Sequence, residues 1–448
     1  MGYPEPPMFC YALLLVANIY SLRVTDAQVT GGVVKDGYVT DFAAKDARIK
    51  WTFTAKPGIY RARIHARTPG GEKGFGLEVN GHASSAMLPA KNEFFWQEAG
   101  IVELNAGPNT VLVKRGWGYY EVEGVDFSPA QIPAIKPVSS RLVTPNAIRA
   151  AKAIMQKFSR NYGRFTGSGQ YELKDSAFIT AKTGLTPMIL GADFIESSPS
   201  RAAHGNKQSP PISDLIAQAK RGSVITISWH WNAPSKLKDT AAEPWWKGFY
   251  KEGTTFDLAA ALADKNSTDY GLLIRDMDVI AKLLQQLQEA GVPILWRPLH
   301  EAEGGWFWWG ASGAEPAKQL YRLMFDRFTR VHHLRNLIWV WNSPNPMWYP
   351  GDDVVDIMSL DRYPDDRTDA LTSDWGELLS RFNGKKMLAL AEFPGAPDVD
   401  RMAKFGVHFA YFVSWTGDLG PKGMTPQRLK SIYGSGRVLN LSKRAGPR

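Results

Sequence analysis

The chain contains 448 residues, of which 44% are hydrophobic and 22% charged, a composition typical of folded rather than disordered proteins. Its net charge is +9, from 53 basic and 44 acidic residues, but it has no run of five or six basic residues typical of a nucleic-acid-binding arm, and its single cysteine excludes an intramolecular disulfide and a cysteine-based zinc site. The 16 tryptophans stand out more than the charge, because large flat side chains of this kind form ligand-binding faces as well as cores.

An apolar stretch lies near the N-terminus. Residues 8–20 (MFCYALLLVANIY) are too few to cross a bilayer as a helix of about 20 residues. Their pattern favours a secretory signal peptide, which we place at residues 1–27 with cleavage after Ala27. The protein is therefore expected to be secreted and extracellular, and the triplets that begin at Asn266 and Asn440 are acceptor sequons for N-glycosylation.

Residues 28–130 alternate short β-rich runs with turn residues. Period-two runs at this spacing predict an all-β sandwich of jelly-roll-like form. The Asn80-Gly81 pair is typical of a tight hairpin turn. The predicted strands are residues 49–54, 58–66, 75–79, 101–104, 110–114 and 120–127.

Prolines separate this region from a second one of different character. Residues 131–146 contain Pro133, Pro137 and Pro145, which predicts a semi-rigid linker. In residues 147–440, apolar segments alternate with helical patterns, which predicts a parallel sheet covered by helices on both faces. Eight segments fit a closed (β/α)8 TIM barrel, whereas an open doubly wound sheet usually carries a glycine-rich phosphate loop that this region lacks. The eight segments are residues 164–170, 187–194, 224–231, 293–300, 337–342, 356–361, 386–392 and 409–415.

Two of the predicted barrel strands end in a lone carboxylate. Glu301 follows the fourth strand, in RPLHE, and Glu392 ends the seventh, in LALAE. Because the carboxyl ends of all barrel strands open on one mouth, both side chains can face one cavity. Glycoside hydrolysis requires such a pair, one acid protonated to release the leaving oxygen and the other ionised to attack the anomeric carbon. The alternative is that each is a salt-bridged acid with a structural role.

Neighbouring residue types suggest which acid has which role. Arg297 lies four residues before Glu301, and a fixed cation together with the Tyr363 hydroxyl would keep Glu392 ionised. Glu301 adjoins an aromatic-rich segment, where poor solvation would raise its pKa. We therefore predict Glu301 as the acid/base and Glu392 as the nucleophile, at the separation of about 5–5.5 Å that double displacement requires.

Five motifs in the second region support a family resemblance. They are SWHWNAP at residues 228–234, RPLHEAEGGWFWW at 297–309, SLDRY at 359–363, AEF at 391–393 and SW at 414–415. From about residue 150 to 433 the chain resembles the β-mannanases of glycoside hydrolase family 26, which are retaining enzymes with a (β/α)8 fold. The resemblance implies the same roles for Glu301 and Glu392, with Arg297 supporting the nucleophile. It also implies sugar contacts from His230, His300, Trp306, Asp361, Tyr363 and Trp415.

Other tryptophans are candidates for sugar stacking outside these contacts. Trp245 and Trp246 lie in a polar loop after the third strand and are predicted to stack a sugar further from the cleaved bond, with surface packing as the alternative. Trp308 and Trp309 are equally consistent with a wall of the site and with a ligand contact.

The first region resembles a carbohydrate-binding module of family 35. The resemblance rests on the strand pattern, the Asn80-Gly81 turn, GWGYY at residues 116–120 and EVEGVDF at 121–127. It implies polysaccharide binding, for which Trp117 and Tyr119 are the predicted stacking residues, with core packing as the alternative. Such modules often hold a structural calcium near their termini. Asp126 fits the C-terminal ligand, but the expected paired acids are not evident in QVTGG at residues 28–32, so we predict no metal and no cofactor.

These features predict a secreted, monomeric, retaining endo-β-1,4-mannanase that acts on mannan, galactomannan and glucomannan. A β-1,3-1,4-glucanase or a xylanase on the same scaffold is the first alternative. The second is a non-catalytic polysaccharide-binding protein. Neither nucleic acid nor a membrane is an expected partner.

Overall fold

The computed structural model describes residues 20–441, without the side chain of Trp117, and the chain divides into two compact units. The first unit contains the residues up to Ile132 together with Leu371–Asp374. The second contains Pro133–Ala370 and the residues from Trp375 onward. Most of the predicted signal peptide falls in residues 1–19, which lie outside the described residues.

The first unit is an antiparallel β-sandwich, as predicted. Its strands are β1 Tyr20–Arg23, β2 Gln28–Thr30, β3 Val33–Lys35, β4 Tyr38–Thr40, β5 Arg48–Ala55, β6 Gly58–Arg67, β7 Lys73–Val79, β8 His82–Leu88, β9 Phe95–Leu104, β10 Gly107–Trp117 and β11 Glu121–Pro129. One sheet has the order β3-β4-β11-β6-β9, with β1 also paired to β11, and the other has the order β2-β5-β10-β7-β8. Alternate side chains are buried along β6, so the core lies between the two sheets.

The Asn80-Gly81 pair forms the predicted hairpin turn between β7 and β8. Both residues have a positive φ, 53° for Asn80 and 80° for Gly81, which matches a two-residue type I′ turn. Direct pairing of Val79 with His82 fixes the register of the hairpin.

Strand β1 corrects the predicted start of this unit. Tyr20–Arg23 pairs with β11 in antiparallel register, and Leu22 and Val24 are buried in the core of the sandwich. The indole of Trp51 donates a hydrogen bond to the Arg23 carbonyl oxygen at 2.8 Å. Cleavage after Ala27 would remove this strand, so the sandwich begins no later than Tyr20. The sequence analysis missed this strand because four residues are too few to show an alternation of buried and exposed side chains. The strand is recognised only by its pairing with β11.

The second unit contains the predicted closed barrel of eight parallel strands. The first strand is shorter than expected, since the predicted segment 164–170 contributes β12 to a separate two-stranded sheet with β21 and only its end to the barrel. All five residues of β16 and all five of β17 are buried, as expected for strands covered on both faces. The strands are β12 Thr166–Gly167, β13 Gly169–Tyr171, β14 Ile189–Asp193, β15 Val224–Trp229, β16 Ile294–Pro298, β17 Leu337–Trp341, β18 Ile357–Asp361, β19 Met387–Phe393, β20 Phe412–Ser414 and β21 Val438–Leu439.

Helices follow most of the barrel strands. They are α1 Arg149–Asn161, α2 Leu173–Thr183, α3 Pro199–Ala202, α4 Ile212–Lys220, α5 Leu258–Ala263, α6 Thr268–Glu289, α7 Trp308–Ala311, α8 Ala314–Asp326, α9 Thr372–Phe382, α10 Val399–Lys404 and α11 Pro426–Tyr433. The longest, α6, is capped by the Ser267 hydroxyl, which accepts from the Tyr270 N–H, and it buries an apolar stripe that includes Leu273, Met277 and Ile280. None of the helices in residues 20–441 is long and apolar enough to cross a membrane.

The predicted proline-rich linker packs on the barrel rather than serving as a free spacer. The N–H of Val143 donates to the Asp356 carboxylate at 2.7 Å, and the Thr144 hydroxyl donates to the Leu337 carbonyl oxygen at 2.7 Å. Val138 is buried in the hydrophobic cluster of the barrel. Residues from Pro133 onward therefore belong to the second unit.

Removal of β1 tests the corrected boundary. A chain that begins at Gln28 loses the burial of Leu22 and Val24, each worth about 1.5–3 kcal/mol, so we expect the free energy of unfolding of the sandwich to fall by about 3 kcal/mol or more. Differential scanning calorimetry of this chain and of one that begins at Tyr20 measures the difference. Equal transition temperatures for the two chains would contradict the assignment of β1 to the sandwich.

Candidate active site

Three carboxylates meet at the carboxyl ends of the barrel strands. Glu301 follows β16, Asp361 ends β18 and Glu392 lies in β19. One oxygen atom of each lies within 4.8 Å of an oxygen atom of each of the others. The two acids predicted from sequence are therefore brought together, with a third acid between them.

Arg297 holds the nucleophile candidate. Its side chain is 1% exposed, and its guanidinium donates to Glu392 Oε1, to Asp361 Oδ2 at 2.7 Å and to the Tyr171 hydroxyl oxygen at 2.9 Å. The other oxygen of Glu392, Oε2, accepts a hydrogen bond from the Tyr363 hydroxyl at 2.7 Å. The predicted support of Glu392 by a cation and a tyrosine is thus present in the geometry.

Glu301, the acid/base candidate, has different hydrogen-bond partners from Glu392. Glu301 has a positive φ of 53°, in the left-handed region that few non-glycine residues adopt. Its backbone N–H donates to the Asn342 carbonyl oxygen at 3.1 Å and to Asn342 Oδ1 at 3.0 Å. Its carboxylate accepts from the Trp306 indole at 3.0 Å. Burial raises the pKa of Glu301 to about 7, and the negative charge of Asp361 acts in the same direction.

The hydrogen bonds to Glu301 and Glu392 differ in the charge state that they favour. Burial also raises the pKa of Glu392, to about 8, and the charge of Asp361 adds to this, whereas Arg297 and the Tyr363 hydroxyl lower it. Arg297 and Tyr363 both donate to Glu392 and therefore favour its ionised form. Glu301 receives one indole N–H and donates to Asp361 when it is protonated. The hydrogen-bond donors thus distinguish the two acids, since Glu392 accepts from a guanidinium and a hydroxyl whereas Glu301 accepts from an indole.

Two histidines pack side by side in the mouth. His230 and His300 are hydrogen-bonded through their Nε2 atoms at 3.1 Å, and His230 Nδ1 bonds to the Asp193 carboxylate at the end of β14. Burial disfavours a charged His230, but the attraction of Asp193 outweighs burial and raises the pKa of His230. Burial and the charge of His230 lower the pKa of His300, which stays neutral. Both predicted histidines are in the site, although their Nε2 atoms bond to each other.

Aromatic side chains surround the carboxylates. Trp415 follows β20 and packs edge-on against Tyr171, with ring centroids 5.1 Å apart, and near His230 at 6.3 Å. Trp306 is 44% exposed and lies flat over Gly304, where a Cβ atom would stand 2.1 Å from its ring. Tyr363 is 40% exposed. These three predicted contact residues keep accessible ring surface around the acids.

The loop after β15 carries the two predicted distal tryptophans. Trp246 is 48% exposed, whereas Trp245 stacks on His204 with ring centroids 4.3 Å apart. Arg201 donates to the Trp246 carbonyl oxygen and lies 5.9 Å from the centre of the Trp245 ring. Trp246 is therefore accessible, with the Lys247 ammonium 5.9 Å from the centre of its ring, and Trp245 mainly supports the loop.

The remaining predicted tryptophans lie elsewhere. Trp308 and Trp309 are buried, and their indoles donate to the carbonyl oxygens of Trp231 and His300, so they form the wall of the site. The side chain of Trp117 lies outside the described part of the chain. Tyr119 donates to Glu121 at 2.7 Å, which fixes its hydroxyl within the sandwich.

Sequence analysis missed three residues of the site. Tyr171 lies one residue beyond the first predicted barrel segment, 164–170. Asp193 and Asn342 each follow an apolar run, in PMILGAD and LIWVWN, at the same barrel mouth as the two glutamates. That shared position is the signal that would have found Asp193 and Asn342.

Comparisons with known proteins identify a family for each of the two units. Residues 143–443 match glycosyl hydrolase family 26, and residues 17–130 match carbohydrate binding module family 35. A mannan endo-1,4-β-mannosidase of Thermothelomyces thermophilus is 39% identical over 93% of this chain and 86% of its own length. Mannan endo-1,4-β-mannosidase B of a Piromyces species is 30% identical over 91% of this chain and 72% of its own length.

Solved structures resemble the whole chain or its second unit. The crystal structure of a Podospora anserina GH26-CBM35 β-(1,4)-mannanase is 37% identical, covers 96% of this chain and 99% of its own, and superposes with a TM-score of 0.70. A β-mannanase from a symbiotic protist of the termite Reticulitermes speratus, solved in complex with a gluco-manno-oligosaccharide, is 29% identical. It covers 69% of this chain and 98% of its own, with a TM-score of 0.61.

Asp361→Asn tests the electrostatics of the cluster. Because the charge of Asp361 raises the pKa of Glu301, its removal is expected to lower that pKa below about 7. The pH dependence of the carboxyl 13C resonances in protein labelled at glutamate measures the pKa. Asp278→Asn is the control, because it removes a carboxylate that is paired with Arg327 outside the cluster. This variant should leave the pKa of Glu301 unchanged. An unchanged pKa of Glu301 in Asp361→Asn would contradict the electrostatic effect of Asp361 on Glu301.

Proposed function

The chain belongs to glycosyl hydrolase family 26 and carries a family 35 carbohydrate-binding module, and from this premise we propose that it is a secreted, retaining endo-β-1,4-mannanase. Its substrates are mannan, galactomannan and glucomannan. The two relatives described above, which are named as mannan endo-1,4-β-mannosidases and each match over more than nine-tenths of this chain, support this substrate class.

The observation that carries the mechanism is the spacing of two acids. Oxygen atoms of Glu301 and Glu392 lie within 4.8 Å of each other. Retaining glycosidases hold their carboxyl groups about 5–5.5 Å apart, whereas inverting enzymes need about 6.5–9.5 Å to admit a water between acid and sugar. The short spacing supports direct attack by one of the acids.

The first chemical step forms a covalent intermediate. Glu392 attacks the anomeric carbon, the bond to the leaving sugar breaks, and Glu301 gives its proton to the departing oxygen. Arg297 and Tyr363 orient the attacking carboxylate and keep it ionised before attack. The raised pKa of Glu301 lets it hold a proton until the bond breaks.

The second step releases the product with its configuration retained. Glu301, now ionised, takes a proton from a water molecule, whose oxygen attacks the anomeric carbon and displaces Glu392. Glu392 returns as a carboxylate and Glu301 as an acid, so atoms and charges balance. The two carboxyl groups supply the proton and the nucleophile themselves, and the mechanism uses no cofactor.

The aromatic residues position the polysaccharide. Trp415 forms a floor for the sugar at the cleavage point, and Trp306, whose indole bonds to Glu301, adjoins the leaving-group side. His230, His300 and Asp361 contribute polar contacts. The exposed Trp246 stacks a sugar more distant from the cleaved bond. Sugar contacts spread along the mouth favour internal cleavage of a chain.

We also propose export of the protein as a monomer. The apolar run that begins at residue 8 serves as the export signal, and cleavage occurs before Tyr20, where strand β1 starts. Of the two sequons, Asn266 is exposed between α5 and α6, whereas the Asn440 amide is hydrogen-bonded to Ser168 and Tyr433. Asn266 is therefore the preferred acceptor.

Substitution of each acid tests the assignment. Glu301→Ala and Glu392→Ala should each lower kcat/KM on mannan by at least about 10³-fold, because each removes one member of a catalytic unit. Glu303→Gln, in the same loop but outside the acid pair, is the control and is expected to stay within tenfold of wild type. Activity within tenfold of wild type in either alanine variant would overturn the assignment and favour a non-catalytic role.

Azide rescue tests which acid is which. With an aryl β-mannobioside as substrate, azide is expected to react with Glu301→Ala on the face that water normally uses and to yield a β-mannosyl azide. In Glu392→Ala, azide replaces the nucleophile and should yield the α-azide. 1H NMR of the anomeric proton identifies each product, and reversed products would exchange the two roles.

A comparison of substrates tests the sugar preference. Release of reducing ends from glucomannan, galactomannan, lichenan and β-1,3-xylan is measured side by side with the same enzyme. We expect cleavage of the two mannose-based polymers. Cleavage of lichenan or xylan with no action on mannan would overturn the substrate class while leaving the mechanism in place.

A further inference from the structure

A buried acid in the first unit requires a counter-charge. Asp126 lies in β11, the last strand of the sandwich, and its side chain is 11% exposed. A carboxylate at such a position is costly unless it is neutralised by a paired cation or a metal.

Arg23 supplies that charge from the first strand. Its guanidinium Nη1 donates to Asp126 Oδ1 at 3.0 Å. In the pairing of β1 with β11, Arg23 faces Gly124, and Asp126 faces Ser21. The Arg23 side chain therefore crosses over Gly124 to reach the acid. A Cβ atom on Gly124 would stand 2.9 Å from Arg23 Nη1 and 2.2 Å from the Leu22 carbonyl oxygen, so only glycine leaves this path open.

The surroundings fix Arg23 on both sides. Its carbonyl oxygen accepts the indole N–H of Trp51, which belongs to the opposite sheet. Its guanidinium lies 5.6 Å from the centre of the Trp96 ring. Arg63, the second cation at the acid, is 4.0 Å from Asp126 Oδ2 and 5.0 Å from the same ring. Arg23 thus ties the first strand to the last strand and to the second sheet.

A calcium ion does not fit this group of residues. Calcium takes six to eight oxygen ligands, commonly including several carboxylates. Across the described part of the chain, the grouping of three or more acid, histidine or cysteine side chains close enough for a metal is the one at Glu301, Asp361 and Glu392. At Asp126 a single carboxylate faces two guanidinium groups, whose charge repels a divalent cation.

We propose that the Arg23 guanidinium takes the place of a structural calcium in this module, neutralising Asp126 and locking the first strand onto the last. The module therefore folds and keeps its strand β1 in place without a divalent metal. The proposal concerns the module alone and does not depend on the hydrolytic function proposed above.

Hydrogen exchange of the full-length protein, followed by mass spectrometry, tests this proposal locally. The informative peptides cover β1 and β11. In the wild type, their exchange rates should be the same with EDTA and with excess calcium chloride. Arg23→Met keeps much of the side-chain volume and removes the charge, and it is expected to speed exchange in both strands by about tenfold or more.

A paired variant separates charge from packing. In Arg23→Met/Asp126→Asn no buried charge is left unpaired, so exchange should be slower than in Arg23→Met alone. Arg61→Met is the matched control, because Arg61 lies on β6 in an exposed pair with Glu98 at 3.7 Å and should change exchange little.

Each outcome decides the proposal. An unfolded Arg23→Met variant that regains folding with Asp126→Asn supports it as much as faster exchange does. Faster exchange of the wild type in EDTA, wild-type rates in Arg23→Met, or no recovery in the paired variant would each overturn it. Mannan hydrolysis measured on the same samples reports separately on the second unit.

Discussion

The buried guanidinium of Arg297 is the contact on which the active site depends. It is enclosed at the barrel mouth together with Asp361 and Glu392, and a buried charge without partners would be strongly unfavourable. By bonding both acids it makes two neighbouring carboxylates energetically tolerable and stabilises the ionised form of Glu392. Glu301 accepts from the Trp306 indole instead. The different roles proposed for these two chemically identical side chains thus rest on the direction in which one arginine points.

The first unit also contains a buried acid that is paired with an arginine. Asp126 is buried in a sheet, and an arginine more than one hundred residues away in the chain neutralises it. In the barrel the arginine bonds two acids at the proposed catalytic site, whereas in the sandwich it joins the first strand to the last. Arg23 and Arg297 each bond to an acid that is far away in the chain. The arrangement of the strands brings each arginine close to its acid, so it determines both ion pairs.

The amino-acid pattern predicted those structural features whose physical cause lies within a short segment of the chain. Burial on both faces makes most barrel strands continuous apolar runs, and seven of the eight were placed near their observed positions, whereas the first predicted segment contributes only its end to the barrel. Strand-end acids are visible because a charge after such a run is costly, which singled out Glu301 and Glu392. The Asn80-Gly81 turn was recognised because these residues tolerate a positive φ. Strand β1 and the packed residues 138–144 were missed, because their stability comes from partners far along the chain.

The sequence by itself therefore determined the two architectures, the order of the barrel strands and the two acids that meet at its mouth, since periodicity and burial are properties of short segments. Only the tertiary structure decided that Tyr171 completes the Arg297 network, that Asp193 holds His230, that Asn342 binds the backbone of Glu301, and that Arg23 reaches Asp126. These contacts join residues separated by tens to more than a hundred positions. Their geometry depends on strand register and barrel closure, which no local pattern specifies.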